Sequence, residues 1–536
     1  MKLSNKLIYV LLFLSAVWAI FLFSQKGGLH IDEQWSYGFS NSSIGGYFYQ
    51  YEIGQEPKFI SNWISNEEIK KYFMVQDGER FSYSNTYKNL ERDVHPPMYF
   101  FLLHTVSSFF VNSMSVWQHA IINILFFVLS LFLLHKIAKL FIEDEILALV
   151  PVVWYGFSQG GIDSVLFARV YVLKIFFGLM LFYYSMLFYR AKKINGKYLF
   201  FIYCSILCGV LSHFFIIPFT LCLMGGFGGK YLFQKKFVKL GWYLLVCCLG
   251  LLSLFVVFKP SYNILTNSVW TGWSIRILSW FGDNVGYSSG LSEVFKYLSS
   301  SFDRFFSYLL GMSFGVKSLS VISLVMILLV GVVLCCCGGF WGILAFLIMG
   351  EYLAVFVPVM HIFEYRYFMI LLPFWCLFFV VSFYKMYDWL SFSKCNLLVK
   401  RFLSLGIVFC ILSYMSFGAN SLFLFRKSDN DIKFNEEVKG KNVVVMLPYS
   451  WMFHEILWYL KDAKNVYTML STDVNEVKEE ELFGKDTLVL IMNHDSRDDL
   501  KLRSRNVSPY IKNEDGLEFL YIVQFSERFY DVYKVK

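Results

Sequence analysis

The sequence predicts an all-α membrane protein: a polytopic bundle of about eleven transmembrane helices, followed by a small C-terminal extracytoplasmic α/β domain. First, 57% of the 536 residues are hydrophobic and 16% are charged, whereas soluble domains average about 45–50% apolar and about 25% charged residues. Second, apolar runs of about 20 residues, the length that crosses a bilayer, recur along the chain. Third, short β-branched runs replace them in the tail. A soluble globular enzyme and a disordered chain are both excluded.

The predicted spans are read from these apolar runs. They lie near residues 6–24, 119–137, 146–163, 167–187, 198–217, 218–234, 239–258, 319–337, 339–358, 367–385 and 402–420. Lys2 and Lys6 precede the first run, as in a signal peptide. The run is nearly of full span length, however, and no small-x-small cleavage site follows it. We therefore interpret it as a retained anchor.

The distribution of basic residues predicts the orientation of the spans. With the N-terminus in the cytoplasm, the inner loops contain Lys136 and Lys139; Arg190, Lys192, Lys193 and Lys197; Lys230, Lys235, Lys236 and Lys239; and Lys385, Lys394, Lys400 and Arg401. The short outer turns contain almost no Lys or Arg, as the positive-inside rule requires. The formal charge of +8 is thus explained by membrane orientation, and we expect no nucleic-acid partner.

This topology leaves three segments outside: a first loop at 25–118, a loop at 259–318 and the tail. We predict a transmembrane domain over residues 1–420 and an extracytoplasmic α/β domain over 421–536. In the tail, Asn442–Pro448, Thr487–Met492, Gly516–Gln524 and Arg528–Lys534 are predicted strands, and Trp451–Lys461 has helical spacing. No glycine-rich phosphate loop joins a strand to a helix, so we predict no nucleotide site.

Polar residues where a membrane disfavours them mark a candidate site. They fall in five regions, all on the predicted outer side: Asp32 and Glu33; Asp93 and His95; Arg169 and Tyr171; His213; and Glu364, Arg366 and Tyr367. Taken singly, each has a structural explanation, such as a solvated helix end, an arginine that reaches to lipid phosphate, or a satisfied core histidine. Their joint placement favours a single site that opens to the outer leaflet.

The residue types in this set suit one reaction. A carboxylate can act as general base on a hydroxyl, and Arg or His can hold a phosphate while negative charge develops on it. A site at the membrane surface admits a substrate whose lipid tail stays in the bilayer. The combination predicts glycosyl transfer from a polyprenyl-phosphate sugar to an acceptor hydroxyl, with no nucleotide cofactor.

The order of these motifs resembles the GT-C membrane glycosyltransferases. The shared features are Asp-Glu after the first span, His-Pro-Pro-x-Tyr, Arg-x-Tyr in the fourth span, His-Phe near the end of the fifth, and Arg-Tyr with the later Pro373. The branch that it resembles is family 39, which includes protein O-mannosyltransferases and lipid A aminoarabinose transferases. The similarity covers residues 1–420 and implies juxtamembrane helices in the first outer loop, with Met98–Phe110 as one of them.

The resemblance also implies residue roles. Asp32 would be the catalytic base, and Glu33 would position the acceptor or support the base. The donor phosphate would contact His95, Arg169 and Arg366, and Tyr171 and His213 would contact the sugar or the same phosphate. Tyr367 is assigned to the donor site with Arg366, and Asp93 and Glu364 are accessory candidates.

Two further expectations come from the family. Because no nucleophile for a double displacement stands out, transfer would invert the anomeric centre. Some relatives bind a divalent metal near the acidic pair, so Asp32, Glu33, Asp93 and His95 stay open as ligands, although no cofactor is assigned.

Other readings stay open beside this one. They are a transporter or flippase of lipid-linked glycans, another membrane transferase such as an acyltransferase or a glycan ligase or polymerase, and a non-catalytic scaffold. The absence of paired halves and the polar cluster at the outer edge weigh against transport. The expected partners are the lipid bilayer, a polyprenyl-phosphate sugar and a lipid, glycan or protein acceptor. The expected location is a bacterial cytoplasmic (inner) membrane.

Overall fold

The structure, a computed structural model, describes residues 3–48, 58–91, 93–266, 307–308, 311–312, 365–389, 421–470, 484, 487–492, 517–526 and 528–535. Contacts between residues divide the chain into two compact units. Unit 1 contains Met1–Phe21, Asp93–Tyr99 and Asn123–Ser421, and unit 2 contains Leu22–Arg92, Phe100–Ile122 and Leu422–Lys536. Most of the segment 25–118 therefore shares a compact unit with the tail. The predicted domain boundaries stay a prediction.

Helices dominate the described part of the chain. In chain order they are α1 Leu3–Ser24, α2 Ile31–Asn41, α3 Asn66–Phe73, α4 Tyr83–Leu90, α5 Met98–Phe109, α6 Trp117–Phe141, α7 Val150–Phe157, α8 Gln159–Leu166, α9 Tyr171–Arg190, α10 Gly196–Ser212, α11 Ile216–Phe233, α12 Phe237–Val257, α13 Pro260–Asn263, α14 Leu372–Trp389, α15 Asp429–Glu437 and α16 Phe453–Ile456. Helix α5 confirms the short helix predicted at Met98–Phe110.

Among the described residues, five helices are long and apolar enough to cross a membrane: Lys6–Ser24 within α1, and all of α6, α9, α11 and α12. Each coincides with a predicted span to within a few residues. The chain is therefore a multi-pass membrane protein. The predicted spans at 319–337, 339–358 and 402–420 lie outside the described residues, so the count of eleven stays a prediction.

The span predicted over 146–163 is wrong as a single helix. A 3-10 turn at Leu147–Leu149 leads into α7, and the chain breaks at Ser158 before α8 begins. Ser158 is extended, and its hydroxyl accepts the N–H of Gly161 at 3.2 Å, as an N-cap does. A Cβ at Gly161 would lie 1.9 Å from the carbonyl oxygen of Tyr155, so glycine permits the tight turn.

The spans of unit 1 pack closely through small residues. Helix α9 packs on α10, and α10 packs on α12. A Cβ added at Gly250 of α12 would lie 2.9 Å from the side chain of Ile206 of α10. Glycine thus lets the two helices approach each other, as is common where helices associate in a membrane.

Unit 2 contains a six-stranded mixed sheet. Its strands are β1 Trp63–Ser65, β2 Asn442–Leu447, β3 Asn465–Leu470, β4 Leu488–Met492, β5 Leu517–Phe525 and β6 Arg528–Val535. Their spatial order is β1-β3-β2-β4-β6-β5. Strand β2 runs parallel to both β3 and β4, whereas the other pairs are antiparallel. The four predicted strands are confirmed, and the predicted helical stretch forms α16 with a 3-10 turn on either side.

The sheet joins two distant parts of the sequence. Strand β1 lies between α2 and α3 in the sequence, and its Ile64 pairs with Val466 of β3. Val443, Val444 and Val445 of β2 are completely buried, as expected for a central strand with both faces covered. The segment between α2 and α3 thus supplies an edge strand of the C-terminal α/β fold.

Candidate active site

In unit 2, the acidic pair lies in the first turn of α2. The imidazole Nδ1 of His30 accepts the N–H of Asp32 at 3.1 Å, and the carboxylate of Glu33 accepts the N–H of His30 at 2.7 Å. This is a capping box in which histidine replaces the usual serine or threonine. It fixes the start of α2, and the helix dipole there stabilises the negative charge of the buried Asp32.

Glu33 is held by a second interaction. The ammonium of Lys26 lies 3.1 Å from its carboxylate, and both side chains are completely buried. The same ammonium donates to the carbonyl of Phe423 at 2.5 Å. The Glu33 carboxylate thus serves the cap and Lys26 together, and the two roles expected of it stay predictions.

The acidic pair is a poor metal site in this arrangement. The Lys26 ammonium lies 3.1 Å from the Glu33 carboxylate. It would repel a divalent cation bound to the same carboxylate. Within the described residues, no group of three or more His, Cys, Asp or Glu side chains is placed to hold a metal ion. The Lys26 ammonium thus weighs against a metal ion at Glu33, and the metal that the family leaves open stays untested.

In unit 1, Asp93, His95 and Arg169 form a hydrogen-bonded chain. His95 Nδ1 lies 2.7 Å from the carboxylate of Asp93, and His95 Nε2 lies 2.8 Å from the NH2 of Arg169. A guanidinium can only donate, so Nε2 accepts from Arg169 and the ring proton is on Nδ1, donated to Asp93. In this geometry His95 is a neutral bridge that orients Arg169, and its expected contact with the donor phosphate stays a prediction.

Asp93 anchors this chain. Burial by itself raises the pKa of the Asp93 carboxyl, but the hydrogen bonds that His95 donates and the attraction of the Arg169 guanidinium outweigh it and hold the pKa below its ordinary value. Asp93 is therefore ionised at neutral pH and keeps the His95 ring in one orientation.

The backbone before α9 places Arg169. The amide of Asn123, in the second turn of α6, donates to the carbonyls of Val165 and Phe167 at 2.9 and 2.8 Å. The N–H of Arg169 in turn donates to the carbonyl of Phe167 at 2.7 Å. The polar Asn123 side chain within a span thus supplies hydrogen bonds to the backbone carbonyls that precede Arg169.

Aromatic rings join the other predicted residues into one cluster. The ring centroid of Tyr171 lies 5.8 Å from that of His213 and 6.5 Å from that of Tyr367. The guanidinium of Arg366 lies over the Tyr367 ring at 5.7 Å, in a 3-10 turn at Tyr365–Leu371. Unit 1 therefore brings together the candidates from four of the five regions, with the exception of Glu364, which lies outside the described residues.

Sequence reasoning missed Lys174, which belongs to this cluster. It lies in the first turn of α9 and is completely buried. Its ammonium lies 4.9 Å from the ring centre of Tyr171 and 5.6 Å from that of Phe215, and it donates to the carbonyl of Tyr367 at 3.3 Å. In the described part of the chain it has no carboxylate partner. A lysine within an apolar run was itself a signal of function.

His213 shows how compact the cluster is. It caps the C-terminal end of α10, and it lies within electrostatic reach of Lys174, His95 and Arg169. Its Nδ1 accepts the N–H of Phe215 at 3.1 Å. His213 is thus a neutral acceptor at the border of a cationic cluster. The acidic pair belongs to unit 2 and this cluster to unit 1, so their convergence in one cavity stays a prediction.

No protein-family model and no curated protein matches the sequence. Among solved structures, the chain is similar to ArnT from Cupriavidus metallidurans in the apo state, with a TM-score of 0.51 and 11% identity over 99% of this chain and 98% of that chain. The chain has the GT-C fold. ArnT bound to undecaprenyl phosphate gives a TM-score of 0.48 and 11% identity over 99% and 97% of the two chains.

The GT-C fold confirms the fold class that the motifs implied, a membrane helical bundle with a C-terminal sheet. At 11% identity the likeness extends to the fold alone. The roles of the individual residues therefore depend on the geometry of this chain.

Proposed function

We propose that the protein is a membrane glycosyltransferase that moves a sugar from a polyprenyl-phosphate donor to an acceptor hydroxyl on the extracytoplasmic side. The observation that carries the proposal is the buried cationic cluster at the start of α9. Lys174 is completely buried without a described carboxylate partner, and Arg169 is oriented beside the same residues by His95. A buried cation normally requires an anion, and a lipid phosphate at the membrane surface supplies one.

The fold supports the choice of a lipid-linked donor. ArnT from C. metallidurans, whose apo structure has the same fold, has also been crystallised bound to undecaprenyl phosphate. In this chain the cationic cluster lies where α9 begins and α10 ends, opposite the basic loop between Arg190 and Gly196. Because basic loops stay in the cytoplasm, this placement supports an extracytoplasmic site.

The proposed reaction is a single displacement. Asp32 removes the proton of the acceptor hydroxyl, and the acceptor oxygen attacks the anomeric carbon of the donor. The bond from that carbon to the phosphate oxygen breaks, and polyprenyl phosphate leaves with the electron pair. Arg169, Lys174 and Arg366 stabilise the charge that develops on the phosphate. Attack from the opposite face inverts the anomeric configuration.

A transfer assay tests the proposal. The full-length protein in lipid nanodiscs is incubated with a panel of polyprenyl-phosphate sugars and candidate acceptors, and the release of polyprenyl phosphate is measured. We expect one donor to be consumed, and we expect Asp32→Asn to abolish turnover while donor affinity stays within about twofold. Full turnover in Asp32→Asn would remove Asp32 as the base.

A matched control is available in the same unit. Asp429 also lies in the first turn of a capping-box helix, α15, but it is exposed. We expect Asp429→Asn to retain wild-type turnover. Loss of turnover in both variants would indicate a general effect of removing a first-turn carboxylate.

A further inference from the structure

Two buried charges connect the acidic helix to the beginning of the tail. Lys26 and Glu33 form an ion pair at 3.1 Å, and the Lys26 ammonium also donates to the carbonyl of Phe423 at 2.5 Å and lies 5.4 Å from the ring centre of Phe425. Burying both ions is favourable only when further hydrogen bonds satisfy them. Here the carbonyl, the ring and the His30 N–H supply those additional partners.

The backbone beside Lys26 is built for close contact with the same tail segment. The N–H of Gly27 donates to the carbonyl of Leu424 at 3.2 Å, and a Cβ at Gly27 would lie 2.3 Å from the carbonyl oxygen of Phe425. A Cβ at Gly28 would lie 2.0 Å from the hydroxyl of Tyr459. Glycine is therefore required where these segments meet, and Lys26 is held at a fixed position on the tail.

An unbroken series of contacts runs from this point to Asp32. Phe423 holds Lys26, Lys26 holds Glu33, and Glu33 accepts the N–H of His30. The His30 ring accepts the N–H of Asp32. The ring is also packed against the tail, since its centroid lies 6.0 Å from that of Phe423 and 6.5 Å from that of Phe425.

We infer that Lys26 is a positioning residue, which locks Glu33 and the His30 cap onto the tail and thereby fixes the orientation of Asp32. The inference rests on the proposed function in taking Asp32 as the general base. It assigns the tail a role in the reaction, because Phe423 and Phe425 complete the pocket around the Lys26 ammonium. The reaction rate falls steeply when a general base moves by even a fraction of an ångström from its productive position.

Three variants test this inference in the full-length protein. Lys26→Met leaves Glu33 as a buried anion without its ammonium, and we expect kcat to fall about tenfold or more while the donor KM changes less than about twofold. Glu33→Gln is expected to lower kcat as well, because it leaves Lys26 unpaired. The double variant Lys26→Met/Glu33→Gln keeps an acceptor for the His30 N–H and removes both charges, so we expect it to recover most of the lost kcat.

The exposed ion pair of Lys433 and Glu437 provides the control. Lys433 forms an ion pair with Glu437 at 3.8 Å in the same unit, with more than half of its side chain exposed, so Lys433→Met should leave kcat unchanged. The inference is overturned if Lys26→Met retains wild-type kcat, if its loss appears in donor KM, or if the double variant is no more active than Lys26→Met.

A readout without catalysis separates this inference from the proposed function. We expect Lys26→Met to raise the hydrogen-exchange rate of backbone amides in residues 29–36 and the double variant to restore their protection. If the wild-type protein transfers no sugar, the proposed function fails, yet this exchange result still tests the hold of Lys26 on α2. Unchanged exchange in Lys26→Met would refute the positioning role whatever the reaction.

Discussion

Replacing Lys174 by methionine should weaken donor binding without destabilising the donor-free protein. In the donor-free protein the buried ammonium contacts a carbonyl at 3.3 Å and two aromatic rings at 4.9 and 5.6 Å. Such contacts offset only part of the several kcal/mol that burial of an ion costs. Methionine has nearly the same length and no charge, so we expect the unfolding temperature of the free protein to stay the same or to rise.

The donor complex should respond in the other direction. Removing one partner of a buried, hydrogen-bonded charge pair costs about 2–4 kcal/mol, which weakens the donor Kd by about 30-fold or more. The assay is the Kd of a polyprenyl-phosphate sugar for the protein in nanodiscs, measured beside the unfolding temperature. The control is Lys239→Met, since Lys239 is also buried and contacts a carbonyl and the ring of Phe188 at 5.6 Å, but at the other end of α9.

Two results would refute this reasoning about Lys174. One is a donor Kd within twofold of the wild-type value in Lys174→Met, which would show that the ammonium does not contact the phosphate. The other is an equal loss of affinity in Lys174→Met and Lys239→Met, which would indicate a general effect of uncharging a buried lysine.

Two further predictions concern pH. Because the folded pKa of Asp93 is below its ordinary value of 3.8, the ionised carboxylate stabilises the folded state above that pH and the stabilisation is lost as pH falls through the folded pKa. Asp93→Asn should therefore cost about 1.5–3 kcal/mol at neutral pH, and the difference in unfolding temperature from wild type should shrink below pH 3.8; a constant difference down to pH 3 would contradict this. Burial lowers the pKa of His454 to about 4, against a hydrogen bond to the Trp451 carbonyl, so the unfolded chain binds a proton between pH 6.5 and 4 that the folded one excludes. Wild-type stability should fall by about 3 kcal/mol across that range, and His454→Phe, which keeps an aromatic ring beside Phe59 and Tyr72, should remove this fall. An equal fall in both proteins would rule out His454 as its source.

Helices and strands that are marked by a continuous apolar run could be predicted from that run alone. The spans α6, α9, α11 and α12 and the strands β2 and β4 were predicted because their apolar runs have a length and composition that few other structures share. The break at Ser158 was missed because the predicted span was extended from the apolar stretch before it across Gln159 and Asp163. The sequence Ser-Gln-Gly-Gly at 158–161 was the available sign of an N-cap and a tight turn.

Elements formed by long-range pairing were harder to predict. Strand β1 has three residues and pairs with β3 about 400 positions away, so its neighbours in sequence give no indication of it. Strand β3, Asn465–Leu470, was also missed, although its valine, tyrosine and threonine are typical of strands. The tautomer of His95 could not be predicted, because the partners that set it, Asp93 and Arg169, are brought to the ring only by folding.

The buried lysines show which information the sequence lacks. Lys26, Lys174 and Lys239 all lie within or beside apolar runs and all are buried, so composition does not distinguish them. Lys26 is neutralised by Glu33, and Lys239 donates to carbonyls at the C-terminal end of α9, where the helix dipole favours a cation. Lys174 lies at the N-terminal end of the same helix, where the dipole disfavours a cation, and no carboxylate in the described chain offsets its charge. An anionic ligand would satisfy Lys174 and the N-terminal dipole together, which is why the start of α9 is the place where a phosphate is expected to bind.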